Sequence, residues 1–110
     1  MESEIIENLI NESIKARENA YAPYSNFKVG AAVLTDRDKI FIGVNVENGS
    51  YGLTICAERS AILAAVSDGA RVFKAIAVTA DTEQPVIPCG ACLQVMTEFF
   101  TKDTLVILSN

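Results

Sequence analysis

Apolar residues recur at three- and four-residue spacing near the N-terminus, at Ile6, Leu9, Ile10 and Ile14. That period predicts an amphipathic helix over about 3–20. The run Y-A-P-Y-S-N-F (21–27) ends it, because Pro23 disfavours helical backbone in the residue before it. K-V-G-A-A-V-L-T (28–35) and K-I-F-I-G-V-N-V (39–46) then predict two strands joined by the polar turn D-R-D, a hairpin. A polar stretch, E-N-G-S-Y-G-L-T (47–54), leads to Cys56 and a helical pattern through Ser67, with Gly69 as its C-terminal stop. F-K-A-I-A-V-T-A (73–80) is a near-continuous apolar run of the kind buried on both faces of a sheet. The loop D-T-E-Q-P-V-I-P (81–88) precedes a second helix pattern from 89 to about 100, and T-L-V-I-L (104–108) reads as a last strand. Helix, hairpin, helix, strand, helix, strand implies an α/β fold: a mixed sheet with helices on both faces, a three-layer α/β/α sandwich.

No repeat, linker or low-complexity tract interrupts the pattern, so 1–110 reads as a single domain. Half of the 110 residues are hydrophobic, enough for a core that needs no disulfides. Apolar runs such as 75–78 and 105–108 are strand-length and far short of a membrane span. The acidic, amphipathic start M-E-S-E-I-I-E-N is unlike a secretory signal or an Arg-rich transit peptide, and points to the cytoplasm. Net charge is −5 with no lysine or arginine cluster. Nucleic-acid binders neutralise phosphates with basic residues, so long DNA or RNA is an unsuitable partner; a small, weakly charged substrate fits.

The chemistry is concentrated in three cysteines, Cys56, Cys89 and Cys92, in a chain with no histidine. Cys56 opens C-A-E-R-S-A-I, and the others close P-C-G-A-C. Cys56 and Cys89 each stand at the start of a predicted helix, where free amide hydrogens and the helix dipole favour thiolate over thiol. Cys92 lies one turn beyond Cys89 on the same face, so both sulfurs can reach one metal. Three protein ligands leave the fourth tetrahedral position of zinc for water, whose pKa the metal lowers to about 7. Glu58 is near enough to carry protons for that water. Arg59, one turn from Cys56, is placed to offset the excess negative charge of three thiolates on one divalent ion. C-G-A-C alone also fits a thioredoxin-like redox site, and free cysteines are common as small core residues. The joint pattern of C-A-E, a long gap and P-C-x-x-C favours metal chemistry.

That joint pattern matches the zinc deaminase signature in its three-cysteine form. With Y-A-P-Y-S-N-F-K-V-G-A-A, N-V-E-N-G-S-Y-G-L-T-I-C-A-E-R-S-A and P-C-G-A-C-L-Q-V-M-T-E-F, the chain resembles the small homotetrameric cytidine deaminases that act on free nucleosides. The resemblance runs from 21 to 100. It implies one Zn2+ per chain on Cys56, Cys89 and Cys92, with Glu58 as proton shuttle. It further implies that Asn45 and Glu47 bind the ribose hydroxyls and that Phe27 packs against the base. The backbone groups of Ala57 and Cys89 would read the pyrimidine edge. Gly49, Ser50 and Tyr51 would lie in the segment that reaches a neighbouring subunit's pocket. An amide and a carboxylate two residues apart at a strand end independently suit a diol.

The implied activity is hydrolytic deamination of cytidine or deoxycytidine to the uridine form plus ammonia, in pyrimidine salvage, by a cytoplasmic homotetramer. Two rival readings change the substrate to a modified cytosine nucleoside, or make the chain a zinc-stabilised binding or assembly protein. Two departures stand out. The family usually has arginine after the last cysteine, where this chain has Leu93, which leaves Arg59 as the evident cation. Family members also usually continue with a further strand, a helical segment and a phenylalanine that enters a neighbouring pocket, so the resemblance is to a C-terminally short member.

Overall fold

The computed structural model describes residues 1–82 and 89–110. Helix α1 (Ser3–Arg17) is followed by strands β1 (Val29–Thr35) and β2 (Ile40–Val44), a short 3-10 helix (Tyr51–Leu53) and helix α2 (Ala57–Ser67). Strand β3 (Phe73–Ala80), helix α3 (Gly90–Phe99) and strand β4 (Leu105–Ser109) complete the chain. The strands form one mixed sheet in the order β2-β1-β3-β4. β1 runs antiparallel to both β2 and β3, while β3 and β4 are parallel. A hairpin needs only the tight turn at 36–38, whereas a parallel pair needs a crossover, and α3 supplies it.

Alternation along the strands divides the core in two. Leu9 of α1 packs with Ala32, Leu34, Ala75 and Ala77 on one face of the sheet. On the other, Val29, Ala31, Val33, Ile76 and Val78 meet Ala57, Ala61, Ile62 and Ala65 of α2 and Met96 of α3. β1 is buried at all seven positions and β3 at all but Lys74, as expected of central strands covered on both sides. The three-layer α/β/α arrangement read from the pattern is the observed one.

Two helix details depart from that reading. α1 ends at Arg17 rather than near Ala20, because Asn19 and Ala20 donate to Ala16 and Arg17 in tight turns and Tyr21 bonds Asn45 beside β2. Its buried face is Leu9, Ser13 and Ala16, while Ile14 is exposed. Ser13 is accommodated because its hydroxyl donates to the Ile10 carbonyl at 2.6 Å and lies 2.6 Å from the Thr79 hydroxyl. A small residue is needed there: a Cβ added to Gly30 of β1 would fall 2.0 Å from the Ser13 carbonyl oxygen. The same close approach recurs on the other face, where a Cβ on Gly43 of β2 would fall 2.2 Å from the Ala61 nitrogen. These two glycines let a helix lie directly on each side of the hairpin.

α3 is fixed at its C-terminal end by aromatic contacts. Phe73 of β3 meets Phe99 edge-on at 6.1 Å between ring centroids and Phe100 at 5.5 Å. With Met96 buried beneath, the helix has little freedom to slide, and its N-terminal end is held beside that of α2.

Candidate active site

The helix N-termini of α2 and α3 converge, and each is capped by a cysteine. Cys56 is the residue before α2 and Cys89 the residue before α3, both with extended backbone. Cys92 sits in the first turn of α3, fully buried. The Cys56 and Cys89 sulfurs are 3.6 Å apart and those of Cys89 and Cys92 3.3 Å apart. All three lie within 4.8 Å of one another and none is in a disulfide. Tetrahedral zinc with Zn–S near 2.3 Å separates its sulfurs by about 3.8 Å, so this trio has the spacing of a ligand set.

Its electrostatics fit a cation as well. In the metal-free chain the Cys56 thiol is pulled down to about 5, first by a hydrogen bond from Cys92 and also by the Arg59 guanidinium. Cys92 is pushed far up, first by that same bond with Cys56, then by burial and by the charge of Glu58. Sulfurs this close do not all ionise unaided; a soft divalent cation lets them. The redox reading loses ground on the same geometry, because the third sulfur lies as near to Cys89 as a shared metal requires.

Around the sulfurs stand the two charged residues of C-A-E-R. Glu58, in the first turn of α2, is 5% exposed. Burial raises its carboxyl above the ordinary range, assisted by the nearby Cys56 charge and opposed by a hydrogen bond from its own backbone amide. A carboxyl raised by burial beside the sulfurs suits a proton carrier. Arg59 donates from Nη2 to the Thr54 carbonyl at 3.3 Å and reaches Cys56 Sγ at 3.6 Å, and contact with that sulfur holds its own proton more tightly. Leu93 is half-exposed on α3 and supplies no charge here. Pro88 of P-C-G-A-C lies outside the described residues.

The expected sugar-binding pair lies past the end of β2, which stops at Val44. Asn45 is buried, and its side chain clamps the loop that carries Phe27: Oδ1 accepts from the Val29 amide at 2.9 Å and Nδ2 donates to the Phe27 carbonyl at 2.7 Å. Glu47 Oε1 accepts from the Tyr24 and Ser25 amides at 3.0 and 3.1 Å, and Oε2 accepts from the Ser25 hydroxyl. Phe27 packs against the edge of the α2-side core, to which the fully buried Ala57 belongs. A cleft of about 330 Å3 opens between Ser25, Glu47, Gly49 and Tyr51. Its far wall leads into the 3-10 turn, ahead of which Asn48 Oδ1 accepts from the Ser50 amide at 2.8 Å. Ser25 is the residue of this cluster to which the sequence pattern assigns no role. Its signal is S-N ahead of F, since Asn26 adopts a left-handed φ of 58° that asparagine tolerates better than most residues. A second cleft, of about 360 Å3 at the opposite end of α2, holds no such cluster; its Lys39 and Asp68 pair with each other at 2.8 Å.

Comparison with known proteins agrees with this geometry. Residues 3–108 match the family described as the cytidine and deoxycytidylate deaminase zinc-binding region. A cytidine deaminase of Sporosarcina psychrophila is 58% identical over 105 residues, covering 96% of this chain and 77% of the relative. A probable cytidine deaminase of Dictyostelium discoideum is 52% identical over 100 residues, 90% of this chain and 68% of the relative. The crystal structure of cytidine deaminase from Burkholderia pseudomallei superposes with a TM-score of 0.89 at 54% identity, over all of this chain and 86% of that one. That from Mycobacterium tuberculosis does so with a TM-score of 0.86 at 37% identity, over 96% of this chain and 89% of that one. By sequence and by shape alike, the chain belongs to the cytidine and deoxycytidylate deaminase family.

Proposed function

We propose that this chain catalyses the hydrolytic deamination of cytidine and deoxycytidine to the uridine forms with release of ammonia. The observation that carries this reading is the three-sulfur cluster at two helix N-termini with a buried carboxylate two residues beyond its first member. Cys56, Cys89 and Cys92 would hold one zinc ion, which when bound lowers the pKa of a coordinated water to about 7. Glu58 would move the protons: it would take one from the attacking water and deliver it to N3 of the pyrimidine, then carry that water's second proton from the hydroxyl at C4 to the amino nitrogen, which leaves as ammonia. Arg59 keeps Cys56 anionic and its sulfur oriented. Phe27 offers a ring edge to the base, and the backbone of Ala57 and Cys89 is suited to its polar edge.

Hydrogen-bond capacity refines the sugar reading. A carboxylate has about four acceptor positions and a primary amide two N–H donors. Glu47 spends three acceptor positions and Asn45 one N–H on the 24–29 loop. One acceptor position on Glu47, and one N–H and one acceptor position on Asn45, remain for the sugar hydroxyls.

Ultraviolet loss of cytidine absorbance, run beside metal analysis, tests the reading. About one zinc per chain is expected, with activity lost on chelation and restored by zinc. 2′-Deoxycytidine should turn over alongside cytidine, while free cytosine, which lacks the sugar, should turn over poorly. A zinc-loaded protein that leaves cytidine unchanged would overturn the proposal, and a metal-free Cys89–Cys92 disulfide would restore the redox reading.

The active form in this reading is a homotetramer acting in the cytoplasm, a compartment that keeps three free thiols reduced. Among the described residues no helix is long and apolar enough to cross a membrane. Tyr51 is 89% exposed and Leu53 64%, with Tyr24 beside them, so the rim of the sugar cleft is an apolar surface of the kind used in association. The Gly49–Tyr51 turn would enter a neighbour's pocket from there. Tyr51→Ala should then weaken assembly and activity together although it touches no sulfur. Light scattering at micromolar concentration decides this, and a fully active monomer would refute it.

A further inference from the structure

We propose that Ser25 is a positioning residue for sugar recognition, its hydroxyl fixing the Glu47 carboxylate in the orientation that meets the substrate. The inference rests on the deaminase reading above and adds a residue to it. Glu47 stands at the wall of the 330 Å3 cleft, open to solvent on the cleft side. Its Oε1 is held by two backbone amides, those of Tyr24 and Ser25. Two bonds to a single oxygen leave the carboxylate free to swing about it. The third bond, from Ser25 Oγ to Oε2, removes that freedom.

The Ser25 hydroxyl is itself oriented. Having given its proton to Glu47, it accepts from the Phe27 amide at 3.0 Å. That bond requires the chain to double back within two residues, which the left-handed backbone of Asn26 achieves. The turn is secured on its other side, where the Asn26 amide donates to the Ala22 carbonyl at 3.0 Å. Ala22 is buried, so the turn is anchored in the core rather than adrift on the surface. The same hydrogen bonds, that of the Ser25 hydroxyl foremost, lower the Glu47 carboxyl from its ordinary value and keep it anionic. Alanine at 25 would leave the Asn26–Ala22 bond and both amide bonds to Oε1 in place, and delete the tether on Oε2 together with the acceptor of the Phe27 amide. A binding group that must then be ordered by the substrate weakens affinity without touching the chemistry at the sulfurs.

Steady-state kinetics on zinc-loaded protein test this. Ser25→Ala should raise KM for cytidine about tenfold, the scale of one charge-assisted hydrogen bond, with kcat, zinc content and Tm unchanged. Ser25→Thr, which keeps the hydroxyl, should return KM to within about twofold of the parent. Combined with Glu47→Ala, Ser25→Ala should add nothing, because the group it positions is gone. An unchanged KM in Ser25→Ala, a kcat and Tm that fall with it, or an undiminished penalty on the Glu47→Ala background would each overturn the inference. If the parent protein turns over cytidine and Ser25→Ala matches it, this inference alone fails; if the parent does not, the deaminase reading fails and this falls with it.

Discussion

Glu58→Gln should retain one zinc per chain and the parent melting temperature while its kcat on cytidine falls by about 10^2–10^4-fold, the range that positioned proton transfer contributes. Glutamine matches the carboxylate in shape, and its side-chain oxygen can still accept from its own backbone amide. It cannot take up a proton and give it back. Because Glu58 is 5% exposed, water has little room to substitute for it. The loss should fall on kcat, with KM little changed, since the transfers occur after binding. Stability gives the complementary check. Burial raises the Glu58 carboxyl, so in the metal-free chain the folded state binds this proton more tightly than the unfolded one does. Its contribution to stability is therefore present at low pH and is lost as pH rises through the raised value. The glutamine variant, which has no such proton, should lack that part of the pH dependence. Near-parent turnover in Glu58→Gln would remove it from the mechanism, whatever the zinc content.

The outcome of reading the sequence differed by the kind of force involved. The three sulfurs were legible because soft ligands are rare and because Cys56 and Cys89 stand where helical periodicity begins; the structure makes each the cap of its helix. The strands were legible from apolar runs, β3 to the residue. What periodicity misplaced was the inward face of α1, which turns on Ser13 and Ala16 rather than Ile14. Hydrophobicity cannot see that choice, since it is set by the closeness of α1 to Gly30 and by the Ser13–Thr79 hydroxyl contact. The pair proposed to bind the sugar, Asn45 and Glu47, was visible as residue types, whereas its commitments to the 24–29 loop were not. Those depend on a two-residue doubling back at Asn26 that brings Ser25 to a carboxylate 22 positions away. Long-range polar pairings of this sort leave no period in a sequence.

The two glycines that admit the helices should separate stability from metal binding. In Gly43→Ala the new methyl would sit 2.2 Å from the Ala61 nitrogen and 2.7 Å from the Ala57 carbonyl oxygen, well inside the 3.4 Å of ordinary contact. Every atom in the way is backbone of α2, so the helix itself must lift from β2. Overpacking of this kind costs about 1–3 kcal/mol. Because Ala57 opens the helix, its displacement carries Cys56, Glu58 and Arg59 with it, while Cys89 and Cys92 remain on α3, anchored by Phe73, Phe99 and Met96. The Cys56 sulfur, now 3.6 Å from that of Cys89, would no longer converge with the pair on α3. Gly30→Ala imposes an equal clash on the opposite face, 2.0 Å from the Ser13 carbonyl oxygen and 2.6 Å from the Arg17 nitrogen, and moves α1, which carries no ligand. Both variants should therefore melt at lower temperature than the parent. Chelator competition, run below both melting points, should show zinc affinity weakened by about tenfold or more in Gly43→Ala, as when the support of a ligand is lost, and close to the parent's in Gly30→Ala. Equal zinc affinity in the two variants would mean that the seat of α2 on Gly43 does not position the metal ligands.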